Sequence, residues 1–195
     1  MTATSPRAGA DRLHFTGDAE ADRLLVSDPF ALLVGFALDQ QVSVQKAFSG
    51  PMELRRRIGH LDPGRIAAMD PAGLDAAFRQ RPALHRFPGA MAKRVRDLAA
   101  AVDAQYGGDA SRIWTDATDA VDLERRLLAL PSIGAMKASS IMAILAKRLG
   151  VEVPGLAGHL PDHPTLGDVD SPEALAAYQA GKRAHKAALR AQQRT

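Results

Sequence analysis

Leu127-Leu-Ala-Leu-Pro131-Ser-Ile-Gly134-Ala-Met-Lys137-Ala-Ser-Ser-Ile-Met-Ala-Ile-Leu145 is the stretch on which the reading of the whole chain turns. An apolar helical end runs into Pro131-Ser132-Ile133-Gly134, and a second apolar segment carrying the small residues Ala138, Ser139 and Ser140 follows at once. That order predicts a helix, a tight hairpin and a second helix. Gly134 is expected to supply the permissive backbone of the turn. The second helix then presents unpaired N–H groups and the positive end of its dipole to whatever lies in front, and a phosphate fits there. A Pro and a Gly between two amphipathic helices also occur in helical proteins that bind no such group, so the stretch needs company elsewhere in the chain.

That company stands about 90 residues upstream. Asp18 to Val26 predicts a short helix, and Ser27-Asp28-Pro29 caps the next one, with Pro at its first position. Phe30-Ala-Leu-Leu-Val-Gly-Phe-Ala-Leu38 is apolar almost all round, which marks a helix buried on every side. It stops abruptly at Asp39-Gln40-Gln41-Val42-Ser43-Val44-Gln45-Lys46-Ala47. Polar amides at the end of a buried helix need partners or form a site. A Gln pair that merely caps a core helix is the plainer alternative.

Gly50-Pro51 precedes a short helix to Ile58, and Asp62-Pro63 and Asp70-Pro71 each open another. His85-Arg86-Phe87-Pro88-Gly89 leads into a helical run from Ala90 to Val102, Tyr106-Gly107-Gly108-Asp109 breaks it, and Ile113-Trp114 packs a connector before the hairpin's first arm, Val121 to Leu130. Its second arm is expected to end near Leu149-Gly150. Residues 151–170 are rich in Pro and Gly, and Ser171-Pro172-Glu173 caps a last helix reaching about Ala191. No segment alternates long enough to read as a strand. The expected class is therefore all-α, with seven to ten helices: a frayed, Ala-rich tail over 1–16 within an N-terminal segment 1–27, a helical core over 28–150, and a loop with a basic helix over 151–195 packing on it.

Composition bounds the function. With 195 residues, 46% hydrophobic and 24% charged, the chain is long enough for one domain or two small ones. No apolar run approaches the roughly 20 residues that cross a bilayer, and Met1 to Gly17 lacks the apolar centre of a signal peptide, so a cytoplasmic protein with no membrane partner is expected. There is no Cys, which removes disulfides, a thiolate nucleophile and a four-Cys iron–sulfur cluster; no cofactor and no metal are expected. The formal charge is +3, and residues 171–195 hold Lys182, Arg183, Lys186, Arg190 and Arg194 against the single acid Glu173. The rest of the chain is thus near neutral, and the basic excess is terminal. Such a tail suits a polyanion, and it equally suits a solvated helix end with cations at the negative pole of its dipole.

Taken together, Leu-Pro-x-Ile-Gly-x-x-x-Ala-x-x-Ile at the hairpin and Leu-x-Gln-x-Val-Ser-Val after the buried helix resemble the helix-hairpin-helix superfamily of base excision DNA glycosylases, which includes endonuclease III and the alkyladenine glycosylases. The resemblance spans roughly residues 28–150. One departure is Ser132-Ile133-Gly134 where the family usually has Gly-hydrophobic-Gly. The resemblance implies a multi-helix bundle of that family without the cluster, a monomer associated with the nucleoid, acting on double-stranded DNA that carries a damaged base. It also implies that the hairpin residues Ser132, Gly134, Ala135, Met136 and Lys137 grip the DNA backbone, and that Gln40 or Gln41 enters the duplex near the flipped base.

Glycosylases of this kind need a carboxylate to support the sugar cation left as the glycosidic bond breaks. In the family it follows the hairpin, and the usual spacing here lands near Pro154 to Leu156, where no Asp stands. Asp162, in Leu160-Pro161-Asp162, is the first choice, with Glu152, Asp168 and Asp170 as rivals; the plain role of Asp168 and Asp170 is to cap the final helix. The slot in which bifunctional members hold a Schiff-base Lys is occupied by Met136, and Lys137 is one residue further, turned by about 100° around the helix. A monofunctional enzyme is therefore expected, with Lys137 as a phosphate contact. The alternatives are a DNA-binding module without catalysis and a helical protein-interaction domain.

Overall fold

In a computed structural model that describes residues 9–192, the chain is all-helical, with no strand among the described residues. Ten α-helices follow in order: α1 (Ala19–Ser27), α2 (Pro29–Leu38), α3 (Val44–Ile58), α4 (Pro63–Ala68), α5 (Pro71–Arg79), α6 (Pro88–Tyr106), α7 (Arg112–Thr115), α8 (Ala120–Leu128), α9 (Ala135–Lys147) and α10 (Pro172–Gln192). Two single turns of 3₁₀ helix, Leu156–His159 and Leu166–Asp168, lie between α9 and α10. None of the described helices is long and apolar enough to cross a membrane.

The three Asp-Pro pairs start helices for the reason the sequence suggests. Asp28, Asp62 and Asp70 each accept backbone N–H groups of the first turn while Pro occupies its opening position, where no N–H is needed. Gly59 and Gly107 end α3 and α6 in the left-handed region, at φ 83° and 64°. α2 is the hub. Every residue from Phe30 to Leu38 is buried, and the helix packs against α1, α3 and α6. Gly35 lets α3 come close, because a Cβ there would stand 2.5 Å from the Phe48 ring, which is itself held edge-on by Phe15 and Phe36 at 5.0 Å.

Two features depart from the sequence reading. Residues 1–16 were expected to fray, yet Leu13 and Phe15 have no exposed surface, Ala10 donates its N–H to the Arg148 carbonyl, and Asp22 accepts from Phe15 and Thr16. Two large apolar side chains suffice to anchor a polar segment, and each is worth about 2 kcal/mol when buried; residues 1–8 lie outside the described ones. Gly50-Pro51 was read as a break, but α3 runs through it for 15 residues. Gly50 and Pro51 are both buried there, a Cβ on Gly50 would meet Leu38 at 2.3 Å, and the tight fit of α3 on α2 outweighs the one ladder bond that Pro51 removes.

The second half is built on α9. α8 packs along it, and the loop after it folds back so that Gly167 lies on the helix backbone, where a Cβ would stand 2.5 Å from the Ala143 carbonyl carbon. A single apolar core runs from Leu13 to Leu175 through both halves.

Candidate functional site

The end of α2 turns sharply. Asp39 has φ −71° and ψ 75°, and the Gln40 N–H donates to the Leu38 carbonyl at 2.7 Å, so Asp39 is the centre of an inverse γ-turn. Gln41 follows in the left-handed region at φ 56°, exposed, and Ser43 then caps α3 by accepting from the Lys46 N–H. The turn is braced from the segment before α6. His85, 1% exposed, donates Nε2–H to the Gln40 carbonyl at 3.0 Å and accepts the Phe87 N–H on Nδ1 at 3.0 Å. A carbonyl can only accept and a backbone N–H can only donate, so the ring is neutral with its proton on Nε2. Burial keeps its pKa below the ordinary imidazole value, in the same direction.

Gln40 itself is held. Its side-chain oxygen accepts from Arg94 Nη1 on the first half of α6, which leaves its amide N–H₂ as the free end.

The connection between α8 and α9 covers residues 129–134. Leu130 and Ile133 are buried under it, while Gly134, Ala135 and Met136 are exposed, Met136 to 79%. The residue in the left-handed region is Ser132, at φ 69°, and not Gly134, which is extended at φ −98° and ψ 178°. The permissive-glycine expectation is thereby corrected. A Cβ on Gly134 would touch nothing within 4 Å, and the strain sits two residues earlier. Lys137 holds that strained residue. Its ammonium turns back to donate to the Ser132 carbonyl at 3.2 Å, closing the connection over five residues.

Half-buried Lys137 shares a neighbourhood with the α2 turn. Burial lowers its pKa, the Asp39 carboxylate opposes that, and the Arg94 charge reinforces it. Burial likewise raises the pKa of Asp39, with Lys182 of α10 and Lys137 pulling it back down. α10 is brought there by a pair of amides: Gln179 donates Nε2–H to Gln45 Oε1 at 2.8 Å, and one turn later Lys182 stands 5.3 Å over the Tyr178 ring. Asp39, Gln40, Arg94, Lys137 and Lys182 therefore gather from α2, α6, α9 and α10 onto one patch.

The acids expected from the sequence all follow α9. Asp168 closes a capping box with Thr165 and pairs with Lys147 at 2.5 Å, which holds its carboxyl below the usual range. Ten residues of helix separate Lys147 from Lys137, about 15 Å of rise. Asp162 is exposed in the loop after the first 3₁₀ turn, which His159 ties to Glu124 of α8 at 2.9 Å. Glu152 is exposed in the loop after α9. The structure thus brings together Gln40 and Lys137 of the expected residues, and adds Asp39, His85 and Arg94. Asp39 carried a signal, as an acid set directly behind nine apolar or small residues; His85 and Arg94 carried none, because their contacts with Gln40 span 45 and 54 positions. Neither a family model, nor a curated protein, nor a solved structure matches this chain.

Proposed function

We propose that the protein is a monofunctional DNA glycosylase of base excision repair. It takes a damaged base out of a DNA duplex and cleaves its glycosidic bond with water, acting as a monomer of the helix-hairpin-helix glycosylase type. The observation that carries this reading is Arg94, which ties Gln40, at the end of a fully buried helix, to the charge neighbourhood of Lys137 in the first turn of α9. Lys137 in turn bonds the Ser132 carbonyl of the connection before α9. Two strings that resemble one family, far apart in sequence, share one patch.

Each part has work that its chemistry allows. The exposed first turn of α9 offers the Ala135 and Met136 N–H groups to a backbone phosphate, and Ser132 and Lys137 shape the turn that presents them. The free amide end of Gln40 is suited to the gap that an extruded base leaves, with Gln41 exposed beside it. Met136, 79% exposed, has no amine to attack a sugar, and the amine of Lys137 is turned inward to Ser132.

Incubation with duplexes carrying a panel of damaged bases, followed by hot alkali, tests the reading. Strand breaks at one lesion are expected from the wild type, with none trapped as a protein adduct by borohydride. Gln40→Ala is expected to lose base release while binding undamaged duplex nearly as before. Duplex binding without release on any lesion leaves a binding module instead, and a trapped adduct makes Lys137 a nucleophile.

A further inference from the structure

We propose that Asp39, the carboxylate in the γ-turn at the end of α2, is the catalytic acid–base residue of this site. The proposal rests on the glycosylase reading and replaces the acids after α9 as the group that handles water's proton.

Asp39 stands where an acid is unwelcome. It caps the C-terminal, negative end of a helix buried on all sides, where a cation is preferred. The residue is half-buried, and its carboxylate makes no hydrogen bond or close ion pair among the described residues. An acid retained for structure is ordinarily seen bonded, as Asp28, Asp62 and Asp70 are at the starts of their helices. Lys182 and Lys137, from two other helices, lie within charge range of Asp39, and Arg94 of α6 is bonded to the adjacent Gln40. His85, bonded to the Gln40 carbonyl with Lys46 and Arg86 within charge range, is neutral with both ring nitrogens in use, and so is not free to move a proton. Among the groups gathered here, Asp39 is the one carboxylate, and it has no hydrogen-bond donor among the described residues.

The step it would serve balances as follows. The C1′–N bond breaks and its electron pair leaves with the base. A water oxygen bonds to C1′ as one of its protons passes to the Asp39 carboxylate, and that proton then goes to the departed base. One water is consumed and the carboxylate is regained. While the sugar is cationic, the negative charge of Asp39 stabilises it. Burial tends to raise the Asp39 carboxyl, and Lys137 and Lys182 hold it back toward its ionised form.

On a lesion that the wild type excises, Asp39→Asn is expected to lower base release by about 10²-fold or more while keeping duplex affinity and the helical circular-dichroism spectrum. Wild-type release should fall on the acid side as Asp39 takes up a proton. Lys137→Met, which removes one of the cations, should move that acid limb to higher pH. Release by Asp39→Asn within threefold of the wild type overturns the proposal, with Asp162→Asn then the variant that locates the acid. An acid limb unmoved in Lys137→Met also overturns it, whether or not Asp39→Asn folds. Absence of release by the wild type on every lesion is the separate outcome that fells the glycosylase reading and this proposal with it.

Discussion

Ser132 carries a cost that its own sequence neighbours explain. An L-residue at φ 69° loses roughly 1 to 2 kcal/mol relative to its right-handed form, and only the Lys137 bond to its carbonyl is seen to oppose that. Ser132→Gly relieves the strain but adds chain entropy to the unfolded state, by roughly 0.5 to 1 kcal/mol. The balance favours the variant: stability in urea should rise by a few tenths to about 1 kcal/mol, with no change in the slope of the transition. A loss of stability would mean that the Ser hydroxyl contributes more to the turn than its geometry indicates. This is also where the sequence misled, since Gly134 was the residue that looked necessary. Pro131, Ile133 and Gly134 located the turn, but which residue takes the left-handed conformation depends on how Ile133 is pulled into the core, and no local pattern encodes that.

At the scale of elements, the starts of helices were legible and the joints between them were not. Asp-Pro pairs and left-handed glycines act within four residues of themselves, so they can be read directly. The break expected at Gly50-Pro51 failed because a contact with Leu38, on another helix, decided it. His85 is such a joint, a strut between the segment before α6 and the turn after α2. In the folded protein it must stay neutral, and its pKa lies below the ordinary value, so below about pH 6.5 the unfolded chain takes up a proton that the native state refuses. The stability His85 contributes is therefore full above that pH and is lost as pH falls toward its folded value. His85→Gln should cost about 1 to 3 kcal/mol at pH 7.5, from two buried hydrogen bonds broken or bent, and the gap to wild type should narrow by pH 5.5. Urea unfolding of both proteins at the two pH values measures this. A constant gap would place the charge on His85 in the native state as well.

Over the whole molecule, charge is distributed so that the patch has a basic flank. The formal charge of +3 is small, but it is concentrated in the last helix, where Lys182 and Arg183 are exposed and Lys186 and Arg190 continue the series. The amide pair Gln45 and Gln179 fixes the first half of α10 beside the turn that bears Asp39 and Gln40, and the exposed Lys182 and Arg183 follow within one turn of Gln179. Cations near the C-terminus of a helix need no ligand to explain them, and salt separates that explanation from a role on DNA. If the flank follows a duplex backbone, replacing Arg183 and Lys186 together with Gln should lower affinity to a similar degree for every sequence, damaged or not. It should also reduce the slope of log affinity against log salt by about 0.9 per lost phosphate contact, roughly 2 for the pair. Base release at saturating protein should be unaffected, because neither residue belongs to the γ-turn or to the connection before α9. Unchanged affinity and slope would exclude Arg183 and Lys186 from any contact with DNA.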